Sequence, residues 1–315
     1  MALAVFLAGC AGNSLAPPQL GRDHALLGRI WDVEASRFVT EAELVTALAA
    51  ADFVLLGEKH DNLEHHQLQA RLVAAILAAD RRPVVGFEML TRAQAEPLAA
   101  YLAGRPRDAA GLGRAVGWEK SGWPAWSAYR PIADAALAAG ADLVATNLTR
   151  SQVRRVGREG YSALDVDLVE RTGLDWPLDP ATRAALEKEI QDSHCGQAPE
   201  HLVAGMVRVQ RARDAVMADT LVAAAGDRGG VQITGTGHAR KDRGIPVYIA
   251  RLRPDARIVS LAFREVSADK NDPAAYVGGD DGAAFDYLWF TLRVDDEDPC
   301  EKFEKQLERL RRKPA

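Results

Sequence analysis

Short apolar runs, each stopped by a glycine or a polar residue, recur along this chain. Phe53-Val54-Leu55-Leu56 stops at Gly57-Glu58, Val84-Val85-Gly86-Phe87 at Glu88, and Leu143-Val144-Ala145-Thr146 at Asn147. Val231-Gln232-Ile233-Thr234 runs into Gly235-Thr236-Gly237-His238, and two further runs cover Arg257 to Val266 and Tyr287 to Leu292. Bounded runs of this length read as buried strands. Between them, apolar positions fall three and four apart, the period of an amphipathic helix. Leu63, His66, Ala70, Val73 and Leu77 make one such stripe, so the histidine shares a core-facing side; His65 lies beside it, in line with Leu72 and Ile76. Start signals agree: Thr40 with Glu43, Asp61 with Glu64, and Thr91 with Gln94 are capping-box patterns. They open helices ending near Ala50, Ala79 and Ala103, and others are expected over Ile132–Ala139 and from Gly244-Ile245-Pro246 to Leu252. Strands alternating with helices predict an α/β fold, a mostly parallel sheet flanked by helices.

The alternation lapses once. From Ser151 to Ala225 no strand pattern appears, whereas Asp179-Pro180 gives an N-cap and N1 proline and Pro199 opens a longer helix. A helical insertion subdomain over about 150–226 is therefore expected inside one α/β domain of residues 30–296. Ile30–Asp32 and Arg37-Phe38 look like a small strand and turn. Trp118, Trp123 and Trp126 fall within nine residues of a chain with six tryptophans, as a pocket wall or as wedges in the core. Residues 297–315 form a charged C-terminal tail.

Composition narrows the class only slightly. Of the 315 residues, 48% are hydrophobic and 26% charged, as in a globular protein with a full core, and the net charge of −5 argues against nucleic acid as a partner. The ends say more. Residues 1–10 are an apolar run ending Leu7-Ala8-Gly9-Cys10, which resembles a bacterial lipobox, although no Lys or Arg precedes it. The run is too short to span a bilayer and fits the apolar part of a signal peptide. Acylation of Cys10 followed by a linker over residues 11–29 would tether the protein to a membrane on the periplasmic side of the cell envelope. Ala11 carries no acidic retention signal, which favours the outer membrane. Cys195 and Cys300 are free to pair in such a compartment, but 105 positions of separation establish nothing, and Cys300 in a charged tail reads as incidental.

Parallel strands bring their C-terminal ends to one edge, where ligands bind in open α/β sheets. Glu58 with His60, Glu88, Asn147 and His238 all fall there, with Asp61, His66, Arg240 and Asp242 close in sequence. Three uses fit such a set. Glu58, His60 and His238 have the donor types for a divalent metal with an open position. Glu58, His60, Glu88 and His238 suit general acid–base hydrolysis without one. Alternatively the groups are caps and buried ion pairs, with Arg240 on Glu58 or Glu88. No Gly-x-Ser-x-Gly elbow, Walker A or GxGxxG sequence is present, which disfavours serine hydrolases, NTPases and dinucleotide enzymes.

Leu55-Leu56-Gly57-Glu58-x-His60-Asp61-Asn62, Gly86-Phe87-Glu88-Met89, Tyr129-Arg130-Pro131, Ala145-Thr146-Asn147, Gln210-x-x-Arg213-Asp214-x-x-Met217-Ala218 and Gly235-Thr236-Gly237-His238-x-Arg240-x-Asp242-x-Gly244-Ile245-Pro246 occur in that order. Together they resemble the ChaN-like haem-binding uptake family of the Tiki superfamily, over roughly residues 30–292. The resemblance implies haem bound by a homodimer of lipoproteins in iron acquisition, with an outer-membrane haem or iron transporter as a partner. More distant members of the superfamily are hydrolases of erythromycin-esterase and Tiki-protease type, using positions matched here by Glu58, His60 and His238. On this resemblance, haem contacts are sought in the insertion, among His194, His201, Met206, Gln210, Arg213 and Met217. The family often has His-Cys-Gly-His where this chain reads His194-Cys195-Gly196-Gln197, so the axial ligand stays open.

Overall fold

The structure is a computed structural model that describes residues 15–79, 82–104, 108–277, 284–298, 300, 301 and 304. The expected signal segment with Cys10 and most of the charged tail lie outside these residues. Among the described residues eight strands form one sheet: β1 (Ile30–Asp32), β2 (Arg37–Val39), β3 (Phe53–Glu58), β4 (Val84–Thr91), β5 (Leu143–Asn147), β6 (Gly230–Gly235), β7 (Ile258–Glu265) and β8 (Tyr287–Thr291). Their spatial order is β2-β1-β8-β7-β3-β6-β4-β5, parallel from β8 to β5, with β1 and β2 antiparallel at one edge. The α/β fold with a mixed, mostly parallel sheet is the one the apolar runs predict.

Twelve α-helices accompany the sheet among the described residues: α1 (Glu41–Ala49), α2 (Leu63–Leu77), α3 (Ala95–Ala103), α4 (Leu112–Ala115), α5 (Trp126–Ala138), α6 (Arg150–Glu159), α7 (Val166–Thr172), α8 (Pro180–Ser193), α9 (Glu200–Ala225), α10 (Thr236–Ala239), α11 (Ile245–Leu252) and α12 (Ala274–Val277). One face of the sheet packs Val54, Leu56, Val85 and Phe87 against α1, α2 and α5. The other packs Phe53, Leu55 and Val84 against α9 and α11. The alternation of side chains along β3 divides the two cores. Because β6 lies between β3 and β4, α2 leaves β3 toward one side of the sheet while α11 leaves β6 toward the other. That is a topological switch point, and a crevice opens there at the strand ends.

Several expectations change in detail. The N-cap of α2 is Asn62, whose Oδ1 accepts from the Glu64 and His65 backbone N–H groups. Glu64 instead accepts from the Leu292 N–H at 2.8 Å, so the Asp61/Glu64 capping box does not form. Helix α5 starts six residues before its expected position and contains Pro131. Proline removes one intrahelical donor, but burial of Ala128, Tyr129, Ile132, Ala133 and Ala136 on one side outweighs that loss. Between β5 and β6 the chain is helical, and part of it packs into the sheet's own core. Ala212, Ala215, Met217 and Leu221 of α9 enter the main core, and only α8 with the first half of α9 has a cluster of its own (Leu186, Ile190, Val203, Val207). Cys300 is not incidental: it forms a disulfide with Cys195, their Cα atoms 5.4 Å apart.

Gly86 lies where β4 packs tightly against β5, β6 and Leu221 of α9. A β-carbon there would collide with Gln232 Oε1, Thr146 Cγ2 and Leu221 Cδ1. Overpacking of this kind costs roughly 1–3 kcal/mol, so Gly86→Ala should lower the urea midpoint accordingly; an unchanged midpoint would show that α9 yields freely at this contact.

Candidate functional site

Register fixes the centre. β3 and β6 pair so that Glu58 stands opposite Gly235, and β6 and β4 pair Ile233 with Phe87, which brings Glu88 to the same level. Glu58, at the last position of β3, is buried. Its Oε1 accepts from the Tyr129 hydroxyl at 2.8 Å and meets His60 Nδ1 at 2.8 Å. Its Oε2 lies 2.9 Å from His66 Nε2, an ion-pair contact bent too far to be a hydrogen bond. Burial pushes this carboxyl up, but His66 and His60 outweigh it and hold it at about 2.

Glu88 is buried as well and is held from several elements at once. Its Oε2 accepts from the Thr234 hydroxyl and the Gly235 N–H, both at 2.7 Å. Its Oε1 accepts from Arg213 Nη2 at 2.6 Å. Asn147, at the end of β5, donates to the Glu88 carbonyl (2.9 Å) and accepts from Arg213 Nε (3.3 Å). Burial works against the charge on Glu88, yet His238, Arg213 and His60 hold its carboxyl far below the usual range. On the opposite side, His238 Nδ1 lies 2.5 Å from Asp214 Oδ1, and Gln210 Nε2 lies 3.1 Å from the same ring nitrogen. Burial raises Asp214 to about 6 despite His238 and Arg213.

Two imidazole–carboxylate dyads therefore converge on one carboxylate. His60 Nε2 is 4.0 Å and His238 Nε2 3.5 Å from Glu88 Oε1. In each dyad the Nδ1 nitrogen is turned to its own carboxylate, Glu58 or Asp214, which leaves Nε2 as the working nitrogen. The His60 side chain is 36% exposed and packs edge-on against Trp123, with centroids 4.7 Å apart. It borders a cleft of about 690 Å³ that His238, Gln210, Gly237, Lys270 and Tyr276 also line. A carboxylate-oriented imidazole at a cleft can take and return a proton, so the arrangement suits general acid–base chemistry.

The structure joins some candidates and separates others. Glu58, His60, His66, Glu88, Asn147 and His238 come together in one centre, joined by hydrogen bonds and by close imidazole–carboxylate approaches. Arg240 does not reach Glu58 or Glu88; it makes a bidentate pair with Asp242, which also holds Arg243. Asp61 faces Lys59 at 3.2 Å. Among the described residues no three His, Cys, Asp or Glu side chains are disposed to hold one metal ion, so the Glu58/His60/His238 metal expectation is not supported. Both Glu58 oxygens already face other groups, and the Arg213 guanidinium occupies the Glu88 oxygen nearest the imidazoles. In the insertion, Gln210 and Arg213 turn to this centre, and Met217 is sealed in the core with its sulfur 4.0 Å from Gln232 Nε2. His201 is exposed, and His194 is half-buried with Nδ1 2.7 Å from the Ile190 carbonyl. The partners missed by sequence reasoning were Tyr129, Thr234 and Asp214. The i, i+4 step from Gln210 to Asp214 was the available signal for the last.

Fold and site together define an α/β protein with a histidine–carboxylate centre at the ends of its parallel strands. The chain belongs to the family described as haem-binding uptake, Tiki superfamily, ChaN, whose profile matches residues 44–249. Among solved structures it is similar to ChaN of Campylobacter jejuni, reported for cofacial haem binding, at 23% identity and a TM-score of 0.65 over 86% of this chain and 98% of that one. That likeness bears out the fold. A weaker one, to a mutant of the erythromycin esterase EreC in its open conformation, has 12% identity and a TM-score of 0.45 over 87% of this chain and 99% of that one, and supports nothing further. Comparison with curated protein sequences gave no match.

The buried charges set an acid response whose sign can be worked out. Glu58 is held at about 2 against an ordinary 4.5, so its stabilisation is present above 4.5 and is lost as pH falls toward 2. Asp214, raised to about 6 from 3.8, acts in the opposite sense, adding stability as pH falls through that interval. Urea unfolding measured against pH should show a smaller loss below 4.5 for Glu58→Gln than for the wild type. For Asp214→Asn the gain between 6 and 4 should vanish. Parallel profiles for all three proteins would refute this assignment of charge.

Proposed function

We propose that this protein is a membrane-tethered lipoprotein of the cell envelope that binds haem as a homodimer and serves haem or iron acquisition, its counterpart an outer-membrane haem or iron transporter. Family membership supports haem as the ligand class. The observation that carries its placement is the distribution of apolar surface. Among the described residues the large exposed hydrophobics are Val166, Trp176 and Leu202, all in the helical stretch and none at the strand-end cleft. A porphyrin needs apolar contact, an axial donor and cationic partners for its propionates. His201 and His194 offer imidazoles there, and Met206 lies half-buried beside the α8–α9 cluster. Met217 and Arg213 do not fit, because the core and Glu88 already engage them. A second copy covering the exposed apolar side chains would account for a dimer. The Cys195–Cys300 disulfide favours an oxidising compartment, in keeping with a lipid anchor at Cys10 on the periplasmic side, in the outer membrane.

A second reading draws on the paired dyads at the strand ends: a hydrolase in which His60 or His238 activates water against an ester or amide held in the cleft. The two readings place function on different parts of the chain, so one pair of variants separates them. Haemin titration of the purified protein should give a strong Soret band and a shift to dimer on size exclusion, both retained in His60→Ala and His238→Ala. Absence of a Soret band would end the haem reading. Esterase activity that disappears in both histidine variants would establish the second.

A further inference from the structure

The helical stretch carries positive charge that its ion pairs do not use. Arg155, Arg171 and Arg213 each meet a carboxylate: Glu159, Asp219 and Glu88. Arg211 does not. It is only 7% exposed, donates to the Trp176 carbonyl at 2.7 Å and to the Tyr248 hydroxyl at 3.4 Å, and has no acidic partner among the described residues. One turn earlier on α9, Arg208 donates to the Gly157 carbonyl at 3.2 Å while its Nε is buried without a partner. Arg183, exposed on α8, has no carboxylate partner among the described residues either. Between them stands Tyr161. Its ring lies 5.6 Å from the Arg211 guanidinium carbon, and its hydroxyl is buried with no hydrogen-bond partner. All three guanidinium groups act on that phenol, lowering its pKa against the burial that raises it.

A buried guanidinium without a counter-charge is costly, and a chain that keeps one normally supplies the charge from elsewhere. Arg211 is such a group, and with the half-buried Arg208 and the exposed Arg183 beside the same phenol it makes a receptor for a planar anion, since the arginine fork matches carboxylate geometry. The neighbourhood says what else the ligand carries. Arg211 holds the backbone of Trp176, whose indole is 58% exposed and lies under the Arg251 guanidinium, 5.0 Å from its carbon. His201 and Leu202 stand exposed at the start of the helix that bears Arg208 and Arg211. A ligand with a broad apolar body and carboxylates at one edge meets both demands.

We propose that Arg183, Arg208 and Arg211, grouped around Tyr161, form the carboxylate-binding end of the haem site and receive the haem propionates. This rests on the haem reading above and assigns the polar end of that ligand. Arg208 and Arg183 engage the carboxylates, and Arg211 supplies positive potential from behind while holding Trp176 in place.

Haemin dimethyl ester keeps the iron and macrocycle but has no propionate charge, so it isolates this contribution. Soret titrations of the full chain with haemin and with the ester should show the wild type favouring haemin by about tenfold or more, the size expected of charge-assisted hydrogen bonds. Arg183→Gln/Arg208→Gln should abolish most of that preference while binding the ester as the wild type does, which also shows that the variant is folded. Arg130→Gln, at an exposed arginine paired with Asp134, should behave as the wild type. Undiminished haemin preference in the double variant overturns the proposal and leaves the haem reading standing. Equal weakening toward both ligands also overturns it. A wild type that binds neither ligand removes the haem reading and this inference together.

Discussion

Glu88 is a buried carboxylate that must stay charged, and much of the molecule is arranged to let it. A carboxylate out of water is tolerated only when its lone pairs are met and its charge is balanced. Here the donors come from β6, through Thr234 and Gly235, and from α9, through Arg213. The backbone of the same residue is held by Asn147 from β5. Three strands and the long helix are thereby tied at one level. Gly235 is needed for that approach, since a β-carbon there would meet the His60 ring. The switch point opens the crevice, and the carboxylate network fills its floor.

Periodicity made most of this architecture legible, because burial on both faces of a parallel sheet leaves continuous apolar runs that stop sharply at polar ends. Glu58, Glu88, Asn147 and His238 were readable as one edge for that reason. Their pairings were not, because sequence spacing carries no information about which strand-end group meets which helix residue. Arg213 seemed a partner for a ligand but is committed to Glu88. Asp214 stands in the sequence only as part of a motif, with no role assigned, yet it orients His238. Arg240 lay near the right histidine, but Asp242, two residues on, captures it with ideal fork geometry. Pro131 is a true loss of a donor, yet the helix expected to begin after it starts six residues earlier and runs through it, because one face is buried. The cysteine pairing was the least accessible, since only the tertiary fold brings residues so far apart within bridging distance.

The buried polar centre and the exposed apolar side chains lie in different parts of this molecule. The strand-end centre is polar and mostly buried, and it meets the cleft through the His60 imidazole beside Trp123. The helices between β5 and β6 carry the exposed indole, the solvent-facing histidine and the unbalanced arginines. α9 belongs to both regions: its second half is core and site, and its first half is the outer surface. The half with Arg208 is continuous with the half that carries Arg213 and Asp214.

The Cys195–Cys300 bridge gives the chain a covalent topology that its strand order does not reveal. It closes a ring containing α9, β6, α11, β7 and β8, so the central strand of the site and its long helix belong to one loop. Any shortened chain ending before residue 300 would open that ring and leave a half-buried thiol beside His194, at the turn into α9. Two such chains can join through their thiols. A dimer seen with a truncated protein would then report oxidation in the tube, and only the complete ring keeps the question of self-association separate from the chemistry of one sulfur.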